Sequence, residues 1–524
     1  MNLQGLSIIG ANCGGRGGVI FSAFDPARGE PLPEVFHRAS AVDVELAARL
    51  ASEAFAIFSQ WSGAQRASLM NRIAELLEAN AAAIIERGTL ETALPAARLQ
   101  GELARTCLQL RFYGEAAASG LCAGARIDHA DPNRKPQPKP DLRSLLRPVG
   151  PVVVFGASNF PLAYSVAGGD TASALAAGCP VIVKAHPAHP GVSEMVGILI
   201  QQAVHDTGAP EGVFSLLFDN GNDIGVALVK NPLVKAVGFT GSRRAGRILM
   251  DIASARPGPV PVFAEMSSVN PVFILPEILG QKPEELAAGL HGSVTLGVGQ
   301  FCTNPGLVFV DRGEAAKVFL QKLASLFSAT PPGTMLTGAI CAAYHAGVEK
   351  FTQAPGVRSA AQASAGDSRA GAALLVTDAE TFLGNHDLTA EVFGPATLVV
   401  ECDSRDQMTA AAKTLEGQLT ASIHATTEEL SANRELMTIL SGKSGRLVFN
   451  GFPTGVEVGH AMTHGGPFPA TSDGRSSSVG TRAIERFLRP VSFQNFPDAA
   501  LPDELKDGNP LGLWRLVDGA LKRE

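Results

Sequence analysis

The chain has 524 residues, which is too long for a single hydrophobic core and predicts two or three domains. Only 18% of the residues are charged, 45% are apolar, and the formal net charge is −7. This acidic balance excludes a protein that binds nucleic acid through a basic face. The high apolar share favours a large α/β protein that also buries surface between subunits.

Cysteine usage and the N-terminus indicate the compartment. Seven cysteines are widely scattered, without a CxxC pair or a Cys/His cluster at metal-ligand spacing. This pattern predicts a reducing compartment, no disulfides and no metal site. The N-terminus lacks the basic start and apolar run of a signal peptide, and prolines and glycines interrupt the longest charge-free stretch, 148–169. We therefore expect a cytoplasmic protein that makes no membrane contact.

The predicted elements change character along the chain. Amphipathic periodicity predicts N-terminal helices at 43–60, 66–87 and 95–113. Residues 130–141 are polar, contain four prolines and predict an exposed connection between two extended segments. Apolar runs then alternate with helix-like sequence, which is typical of parallel sheets with helices on both faces. The predicted strands are 149–155, 181–183, 213–218 and 234–239 in a first set, then 272–275, 307–310, 396–400 and 446–450 in a second set, and finally 490–495. Helices of the second set are predicted at 284–297, 314–327 and 405–415.

One stretch places a single cysteine in a loop of small residues: Gly297 to Gly306 reads Gly-Val-Gly-Gln-Phe-Cys-Thr-Asn-Pro-Gly. A thiolate at Cys302 would be a good nucleophile, and the glycines before it let a substrate approach the backbone closely. A free cysteine is also a common buried residue without chemistry. The pattern alone leaves both interpretations open.

Two polar residues stand where predicted strands end. Asn159, in the segment Phe-Gly-Ala-Ser-Asn-Phe-Pro, lies at a turn that favours asparagine, and its amide can also donate to an oxyanion. Lys184 follows the strand 181–183. It either faces the ligand crevice at the carboxyl edge of a parallel sheet or leaves the sheet for solvent.

Residues 238–246 and Glu265 carry two further signals. The first segment, Gly-Phe-Thr-Gly-Ser-Arg-Arg-Ala-Gly, follows a strand and opens a helix, where free N–H groups can bind a pyrophosphate. Arg243 and Arg244 in that first turn either neutralise phosphate or lie in solvent.

Glu265 stands between apolar residues, and a buried carboxylate is costly unless it is paired or functional. We expect burial to raise the pKa of Glu265, which suits a general base acting on water.

In order along the chain, these segments resemble the motifs of the aldehyde dehydrogenase superfamily. The matching segments are Ser-Asn-Phe-Pro, the strand-end lysine, Phe-Thr-Gly-Ser, the buried glutamate, Gly-Gln-Phe-Cys and Glu-Val-Phe-Gly-Pro at 391–395. The usual Glu-Leu-Gly-Gly of the family reads Glu-Met-Ser-Ser here, which affects the local backbone but leaves the acid in place. The resemblance covers nearly the whole chain.

The resemblance implies an α/β fold with two parallel-sheet domains and a small β oligomerisation element. Residues 1–125 and 149–265 would form a Rossmann-like NAD(P)-binding domain, and 266–466 the catalytic domain. Residues 126–148 and 488–500 would form the oligomerisation element, which leaves 501–524 as a C-terminal tail. A homodimer or homotetramer is implied.

The resemblance also assigns catalytic roles. Cys302 attacks an aldehyde, Asn159 and the Cys302 backbone N–H stabilise the oxyanion, and hydride leaves to the nicotinamide. Glu265 then activates the water that releases the acid. The implied cofactor contacts are Phe155, Gly156, Ala157, Ser158, Lys184, Thr240, Gly241, Ser242, Glu391 and Phe393, with Glu391 on the nicotinamide ribose and Phe393 near the ring. Pro187 stands where many NAD-preferring members carry a glutamate that would repel a 2′-phosphate, so NADP is favoured over NAD.

Longer phrases indicate a substrate class. Phe-Gly-Ala-Ser-Asn-Phe-Pro-Leu-Ala-Tyr and Lys-Ala-His-Pro-x-His-Pro look like the α-ketoglutaric semialdehyde dehydrogenases, which oxidise 2,5-dioxopentanoate to 2-oxoglutarate. They are also similar to a bacterial NADP-dependent fatty aldehyde dehydrogenase. The candidate substrate residues are Phe160, His464, Arg111 and Arg475, with either arginine as the partner of an anionic substrate.

Some assignments stay open at this point. His464 is a polar wall of the substrate tunnel, a proton carrier, a contact to an anionic substrate or an uninvolved loop residue. A dehydrogenase that transfers its acyl group to coenzyme A typically lacks the base that Glu265 provides. A catalytically silent scaffold would require the loss of Asn159, Glu265 or Cys302, and all three residues are present.

Overall fold

The computed structural model describes residues 2–16, 18–363 and 369–523. Its α-helices, in chain order, are α1 (Ala41–Phe58), α2 (Gly63–Ala79), α3 (Ala81–Thr92), α4 (Ala96–Ala118), α5 (Gly169–Ala177), α6 (Pro190–Asp206), α7 (Asp223–Lys230), α8 (Arg243–Ser254), α9 (Pro276–Gln281), α10 (Pro283–Thr295), α11 (Glu314–Ala329), α12 (Gly338–Thr352), α13 (Ala379–Gly384), α14 (Arg405–Thr414), α15 (Thr427–Ala432) and α16 (Arg434–Lys443). Within the described ranges, none of these helices combines the length and the apolar character that crossing a bilayer requires.

The β-strands, in chain order, are β1 (Ile8–Ile9), β2 (Asn12–Cys13), β3 (Ile20–Asp25), β4 (Glu30–His37), β5 (Arg126–Asp128), β6 (Leu142–Pro148), β7 (Val152–Phe155), β8 (Val181–Lys184), β9 (Phe214–Leu217), β10 (Ala236–Thr240), β11 (Val262–Glu265), β12 (Val272–Ile274), β13 (Leu307–Asp311), β14 (Gly333–Thr334), β15 (Arg358–Gln362), β16 (Arg369–Ala370), β17 (Ala373–Asp378), β18 (Ala396–Cys402), β19 (Gln418–His424), β20 (Ser444–Phe449), β21 (Leu488–Gln494), β22 (Arg515–Val517) and β23 (Ala520–Lys522). β3 pairs with β4, and β14 with β16, in two separate two-stranded antiparallel sheets.

The first large sheet has the strand order β11-β10-β7-β8-β9-β1-β2. Strands β7 to β11 are parallel, and β1 joins β9 in antiparallel register. The chain runs outward from β7 to β8 and β9, then returns to place β10 on the other side of β7. The order therefore reverses between β7 and β10, and an open parallel sheet leaves a ligand crevice at the carboxyl ends of the strands at such a point.

The second large sheet has the strand order β15-β17-β18-β13-β12-β19-β20 and is parallel except for β15. The central strands of both sheets are buried on both faces because helices cover each side. This arrangement explains why their sequences are continuous apolar runs. The predicted α/β fold with two mainly parallel sheets is confirmed, whereas the predicted domain limits stay predictions.

A third sheet has the order β21-β6-β5-β22-β23. The predicted exposed connection at 130–141 links β5 to β6, and the predicted late strand is β21, which pairs with β6. The segment 501–524, expected only as a tail, contributes β22 and β23 to this sheet, with β22 parallel to β5. The tail is therefore part of the same sheet as the segment expected to mediate oligomerisation.

One predicted helix is two helices in the structure. The segment 66–87 spans most of α2 and the first part of α3, which meet at Asn80. The Asn80 side chain donates to the carbonyl of Leu76 at 2.8 Å, and its backbone leaves the helical region at φ −109° and ψ 14°. Asparagine side chains compete for backbone groups in this way, which ends α2 although the apolar periodicity continues.

Candidate active site

Cys302 lies in a loop between a short 3₁₀ turn (Leu296–Gly299) and β13. The backbone enters this loop through left-handed conformations at Gly297 and Val298, with φ of 56° and 57°. A Cβ on Gly299 would lie 2.2 Å from the carbonyl carbon of Gly394, so a side chain cannot be accommodated there. The glycines thus bring the cysteine loop against the segment that contains Glu391.

Asn270 fixes the other side of the cysteine loop. Its Nδ2 donates to the carbonyl oxygens of Cys302 at 2.8 Å and Asn304 at 2.9 Å. The Asn270 backbone has a φ of 46°, a conformation that asparagine tolerates better than most residues, and its N–H donates to Gln418 Oε1 at 3.1 Å. The nucleophile is therefore held by buried polar contacts rather than by an open loop.

The predicted oxyanion donor lies next to the cysteine loop. Asn159 Nδ2 donates to the carbonyl oxygen of Gln300 at 3.0 Å, two residues before Cys302. One Nδ2 hydrogen uses this bond, and the amide carries a second hydrogen for an incoming oxygen. Phe160, a predicted substrate residue, packs edge-on against Phe301, with ring centroids 5.3 Å apart.

The predicted base, Glu265, ends β11 and is buried with two hydrogen-bond partners. Its Oε1 is 3.0 Å from His464 Nε2, and its Oε2 accepts a hydrogen bond from Ser478 Oγ at 2.8 Å. The same Nε2 of His464 is 3.5 Å from Cys302 Sγ. Of the roles left open for His464, the structure excludes that of an uninvolved loop residue.

The late loop is fixed along β11. Ser472 and Ala264 exchange hydrogen bonds, and the backbone N–H of Met266 donates to the carbonyl of Ala470 at 2.8 Å. Glu265 forms a single antiparallel bridge with Thr471 between these contacts. The loop that carries His464 is therefore held along the strand that ends at Glu265.

Electrostatics at the site differ from expectation in one respect. Burial acts to raise the pKa of Glu265, but the His464 imidazole and the Ser478 hydroxyl outweigh it, and the pKa of this carboxyl is lowered. The predicted rise in the Glu265 pKa is therefore wrong, because the partners that stabilise the charged form lie far away in sequence. Burial and the Glu265 charge raise the pKa of Cys302 well above its usual value.

The three central side chains form a compact set. The ligand atoms of Glu265, Cys302 and His464 all lie within 4.8 Å of one another. A cavity of about 10 Å³ adjoins this set on the side of Thr240, Glu265 and Ser478, close to the lower limit for one water molecule. The arrangement can therefore activate a thiol and place a water molecule beside a carboxylate.

The predicted cofactor residues collect at the carboxyl edge of the first sheet. Phe155 ends β7, Lys184 ends β8, and Thr240 ends β10 in register with Glu265 on β11. Gly156, Ala157 and Ser158 follow β7, and Gly241 and Ser242 follow β10. Ser242 caps α8 by accepting a hydrogen bond from the N–H of Ala245 at 3.3 Å. These residues surround the crevice where the strand order reverses.

Lys184 and Glu391 are the two ionisable side chains among the predicted cofactor residues. The Lys184 side chain is 9% exposed, and its ammonium has no hydrogen-bond partner in the ranges that the structure describes. Burial lowers the pKa of Lys184, partly offset by Asp219. Burial raises the pKa of Glu391 to about 7, while a hydrogen bond with the Ser267 side chain opposes the rise. Phe393 follows Glu391 by two residues and is partly buried.

Two predicted substrate residues are not brought to this site. Arg111 makes a two-fold ion pair with Glu78 at 2.6 and 2.7 Å on the outside of α2 and α4. Arg475 is 90% exposed and pairs with Asp473 at 2.9 Å. Both arginines already have carboxylate partners at the surface, so these contacts give no support to the expectation that either receives the substrate.

Several residues of the site were missed from sequence. Ser478 and Asn270 carry no signal of their own, because serine and asparagine are common loop residues. Tyr164 lies in the Asn-Phe-Pro-Leu-Ala-Tyr phrase, and its ring centroid is 6.3 Å from that of His464. Its position three residues after a turn gave no indication that it points toward the nucleophile.

The fold and the site define a class of enzyme before any comparison. The structure combines a ligand crevice on a parallel sheet with a cysteine nucleophile, an amide donor and a buried carboxylate. This combination is typical of an enzyme that forms a covalent intermediate beside a bound ligand. The chain belongs to the aldehyde dehydrogenase family, whose sequence pattern matches residues 16–489. It is therefore an oxidoreductase of that family.

Two relatives extend over almost the whole chain. The chain is 51% identical over 522 residues to alpha-ketoglutaric semialdehyde dehydrogenase 2 of Azospirillum brasilense, covering 99% of each protein. It is 45% identical to alpha-ketoglutaric semialdehyde dehydrogenase of Acinetobacter baylyi, covering 94% of each. A solved structure, the NAD+ complex of an aldehyde dehydrogenase from Bacillus cereus, aligns with a TM-score of 0.80 at 20% identity over 93% of this chain and 96% of that one. This likeness supports the fold.

Proposed function

We propose that this enzyme oxidises 2,5-dioxopentanoate, the semialdehyde of 2-oxoglutarate, to 2-oxoglutarate with NADP+ or NAD+. The observation that carries the proposal is 51% identity over 99% of both chains to a protein named for this activity. The groups that aldehyde oxidation needs lie together around the cysteine loop, namely the Asn159 amide, the Glu265 carboxylate and the Cys302 thiol.

Each of these side chains has a separate role in the proposed reaction. Cys302 Sγ bonds to the aldehyde carbon, and its proton passes to the adjacent pair of Glu265 and His464. The free amide hydrogen of Asn159 and the Cys302 backbone N–H stabilise the resulting oxyanion. Loss of hydride from the former aldehyde carbon, for which a bound nicotinamide would be the acceptor, leaves a thioester on Cys302. Once it has released the first proton, Glu265 accepts a proton from the water that hydrolyses the thioester, and the acid leaves as Cys302 regains a proton.

The crevice at the carboxyl edge of the first sheet fits a nicotinamide dinucleotide. The buried Lys184 ammonium can donate to ribose hydroxyls, and the N-terminus of α8 after Thr240 and Gly241 suits a pyrophosphate. Glu391 and Phe393 lie on the side of the crevice that faces Cys302. Negative charge on Glu391 contributes to the raised pKa of the Cys302 thiol. The bound cofactor supplies the hydride acceptor.

The proposal includes a preference for NADP+. Pro187 follows Lys184 by three residues and carries no charge that would repel a 2′-phosphate. A carboxylate at this position would instead bind the free ribose hydroxyls. We expect a higher kcat/KM for NADP+ than for NAD+.

We further propose a homodimer or homotetramer in the cytoplasm, acting on a small aldehyde without nucleic acid or membrane partners. Among the described residues, β20 and β21 are edge strands of their sheets. Phe449 on β20 and Phe496 after β21 are each 48% exposed. Exposed edges with apolar side chains favour pairing with a second chain.

Steady-state kinetics with purified protein test this function. NADPH and NADH formation would be followed on 2,5-dioxopentanoate and on a medium-chain aliphatic aldehyde, without coenzyme A. We expect a kcat/KM at least about tenfold higher for the dioxo acid. A preference for the aliphatic aldehyde would favour the fatty aldehyde alternative, and turnover only with coenzyme A would refute the hydrolytic role of Glu265.

A further inference from the structure

Two arginines close to the nucleophile differ from the other arginines around them. On α4, Arg98 pairs with Glu102 at 2.7 Å, and Arg111 pairs with Glu78. Arg105 on the same helix and Arg446 on β20 have no carboxylate partner within 4.0 Å in the described part of the chain, although both are partly buried. Partly buried cations without an anion are unfavourable, which points to an anionic ligand.

Both guanidinium groups meet at one loop. Arg105 Nη1 donates to the carbonyl of Val456, and Arg446 donates to the carbonyls of Gly455, at 2.8 Å, and Pro453. These contacts use some of the five N–H groups of each side chain and leave others for a ligand. Glu457 is the acidic residue of this loop. Its side chain is exposed and accepts a hydrogen bond from the N–H of Val458 rather than from either arginine.

A chain of contacts connects Arg105 to the nucleophile. Arg105 Nη2 is 3.4 Å from the Tyr164 hydroxyl, the Tyr164 ring lies 6.3 Å from the His464 ring, and His464 contacts Cys302. Glu102, one turn earlier on α4, fixes this geometry because it accepts hydrogen bonds from the N–H groups of Leu162 and Ala163 at 2.8 and 2.9 Å. Arg105 is therefore positioned against the segment that also carries Asn159.

Arg446 lies beside Arg105, because both donate to the loop 453–456, and Thr454 of this loop donates to the carbonyl of Thr303, next to Cys302, at 3.5 Å. Burial lowers the pKa of Arg446, and negative charge on Cys302 or Tyr164 would oppose this shift. The extended chain of a five-carbon dioxo acid separates its two ends by about 5 Å, given carbon–carbon bonds of about 1.5 Å. With its aldehyde carbon at Cys302, such a substrate would need a cationic partner for its carboxylate about 5 Å away.

We propose that Arg105 and Arg446 bind the carboxylate of the substrate and so select an ω-oxo acid over a neutral aldehyde. This inference rests on the proposed function, because it assigns the substrate carboxylate its partners. Arginine suits this task because its planar group can donate two parallel hydrogen bonds to a carboxylate. The pair replaces Arg111 and Arg475 as the candidates for substrate recognition.

The test compares an anionic and a neutral substrate in single variants. We would measure kcat and KM of Arg105→Gln, Arg105→Lys and Arg446→Gln with 2,5-dioxopentanoate and with pentanal. We expect each glutamine variant to lower kcat/KM for the dioxo acid at least tenfold, mainly through KM, and to change the value for pentanal less than twofold. Arg105→Lys should retain part of the discrimination. Arg111→Gln and Arg475→Gln serve as matched surface controls and should leave both substrates unchanged.

Product inhibition separates this inference from the proposed function. In the wild type, 2-oxoglutarate should inhibit pentanal oxidation in competition with the aldehyde, with an inhibition constant about tenfold higher in Arg105→Gln. Inhibition that depends on Arg105 in an enzyme that does not turn over the dioxo acid would refute the substrate but support the carboxylate site. Equal losses on both substrates, or no loss on either together with unchanged inhibition, would overturn the assignment.

Discussion

Replacing His464 by leucine should move the acid limb of the pH–rate profile to higher pH. The reaction needs Glu265 ionised, and His464 Nε2 at 3.0 Å is one of its two hydrogen-bond partners. A hydrogen bond to a charged group contributes about 1.5–3 kcal/mol, which changes the ratio of ionised to protonated carboxyl about 10- to 100-fold. Without the imidazole, burial dominates and the Glu265 pKa rises, so activity at low pH falls by about this factor and recovers as pH increases.

The assay is kcat/KM for the aldehyde, at saturating NADP+, from about pH 5 to about pH 9. His464→Gln keeps an N–H donor and should shift the limb less than His464→Leu. His205→Leu is a matched control, because His205 is 91% exposed and remote in sequence from the site. A leucine variant whose acid limb stays where the wild type has it would refute the assignment of His464 as the residue that keeps Glu265 ionised.

Three further perturbations test the geometry. Glu265→Gln should lower kcat at least about 100-fold while the thermal midpoint is retained, and a loss below tenfold would contradict its role as the base. Asn270→Ala removes a donor from the carbonyls of Cys302 and Asn304 and should cost about 1–3 kcal/mol of unfolding free energy; an unchanged denaturation midpoint would refute this. Micromolar Zn²⁺ should inhibit, because Glu265, Cys302 and His464 offer three ligand atoms within 4.8 Å, whereas Mg²⁺, which prefers oxygen ligands, should not. Inhibition that EDTA does not reverse, or that His464→Leu does not weaken, would contradict the zinc prediction.

The α/β fold was predictable because the strands of the parallel sheets are buried on both faces. Val152–Phe155 is a continuous apolar run, and Val181–Lys184 and Leu307–Asp311 are apolar up to their last residue, so all three can be recognised without their partner strands. β19 and β11 were not predicted, since Gln418–His424 contains buried polar residues and Val262–Glu265 ends in the base. The pairing of β22 with β5 depends on contacts nearly 400 residues apart, which local pattern does not reveal.

The parts of the candidate site that could be predicted are those in which a single side chain, such as a thiol or an amide, supplies the chemistry by itself. The resemblance of their loops to aldehyde dehydrogenase motifs predicted roles for Asn159 and Cys302, and the structure places both at the cysteine loop. The electrostatic state of Glu265 was not predictable, because its partners His464 and Ser478 come from a loop about 200 residues later. Arg105 was not predicted for a similar reason, since only the three-dimensional structure shows that no described carboxylate pairs with it.

His464 and Glu265 are best understood as one unit. A buried carboxylate needs partners. If an aromatic residue replaced His464, the side-chain donors left to Glu265 among the described residues would be the Ser478 hydroxyl and the Cys302 thiol. Burial would then raise the Glu265 pKa and favour its protonated form. The histidine keeps the carboxylate ionised beside a thiol whose own pKa is raised, so a proton leaving Cys302 has an acceptor within the same buried cluster. Backbone pairing of residues 470–472 with β11 holds the loop that carries His464 against the strand that ends at Glu265.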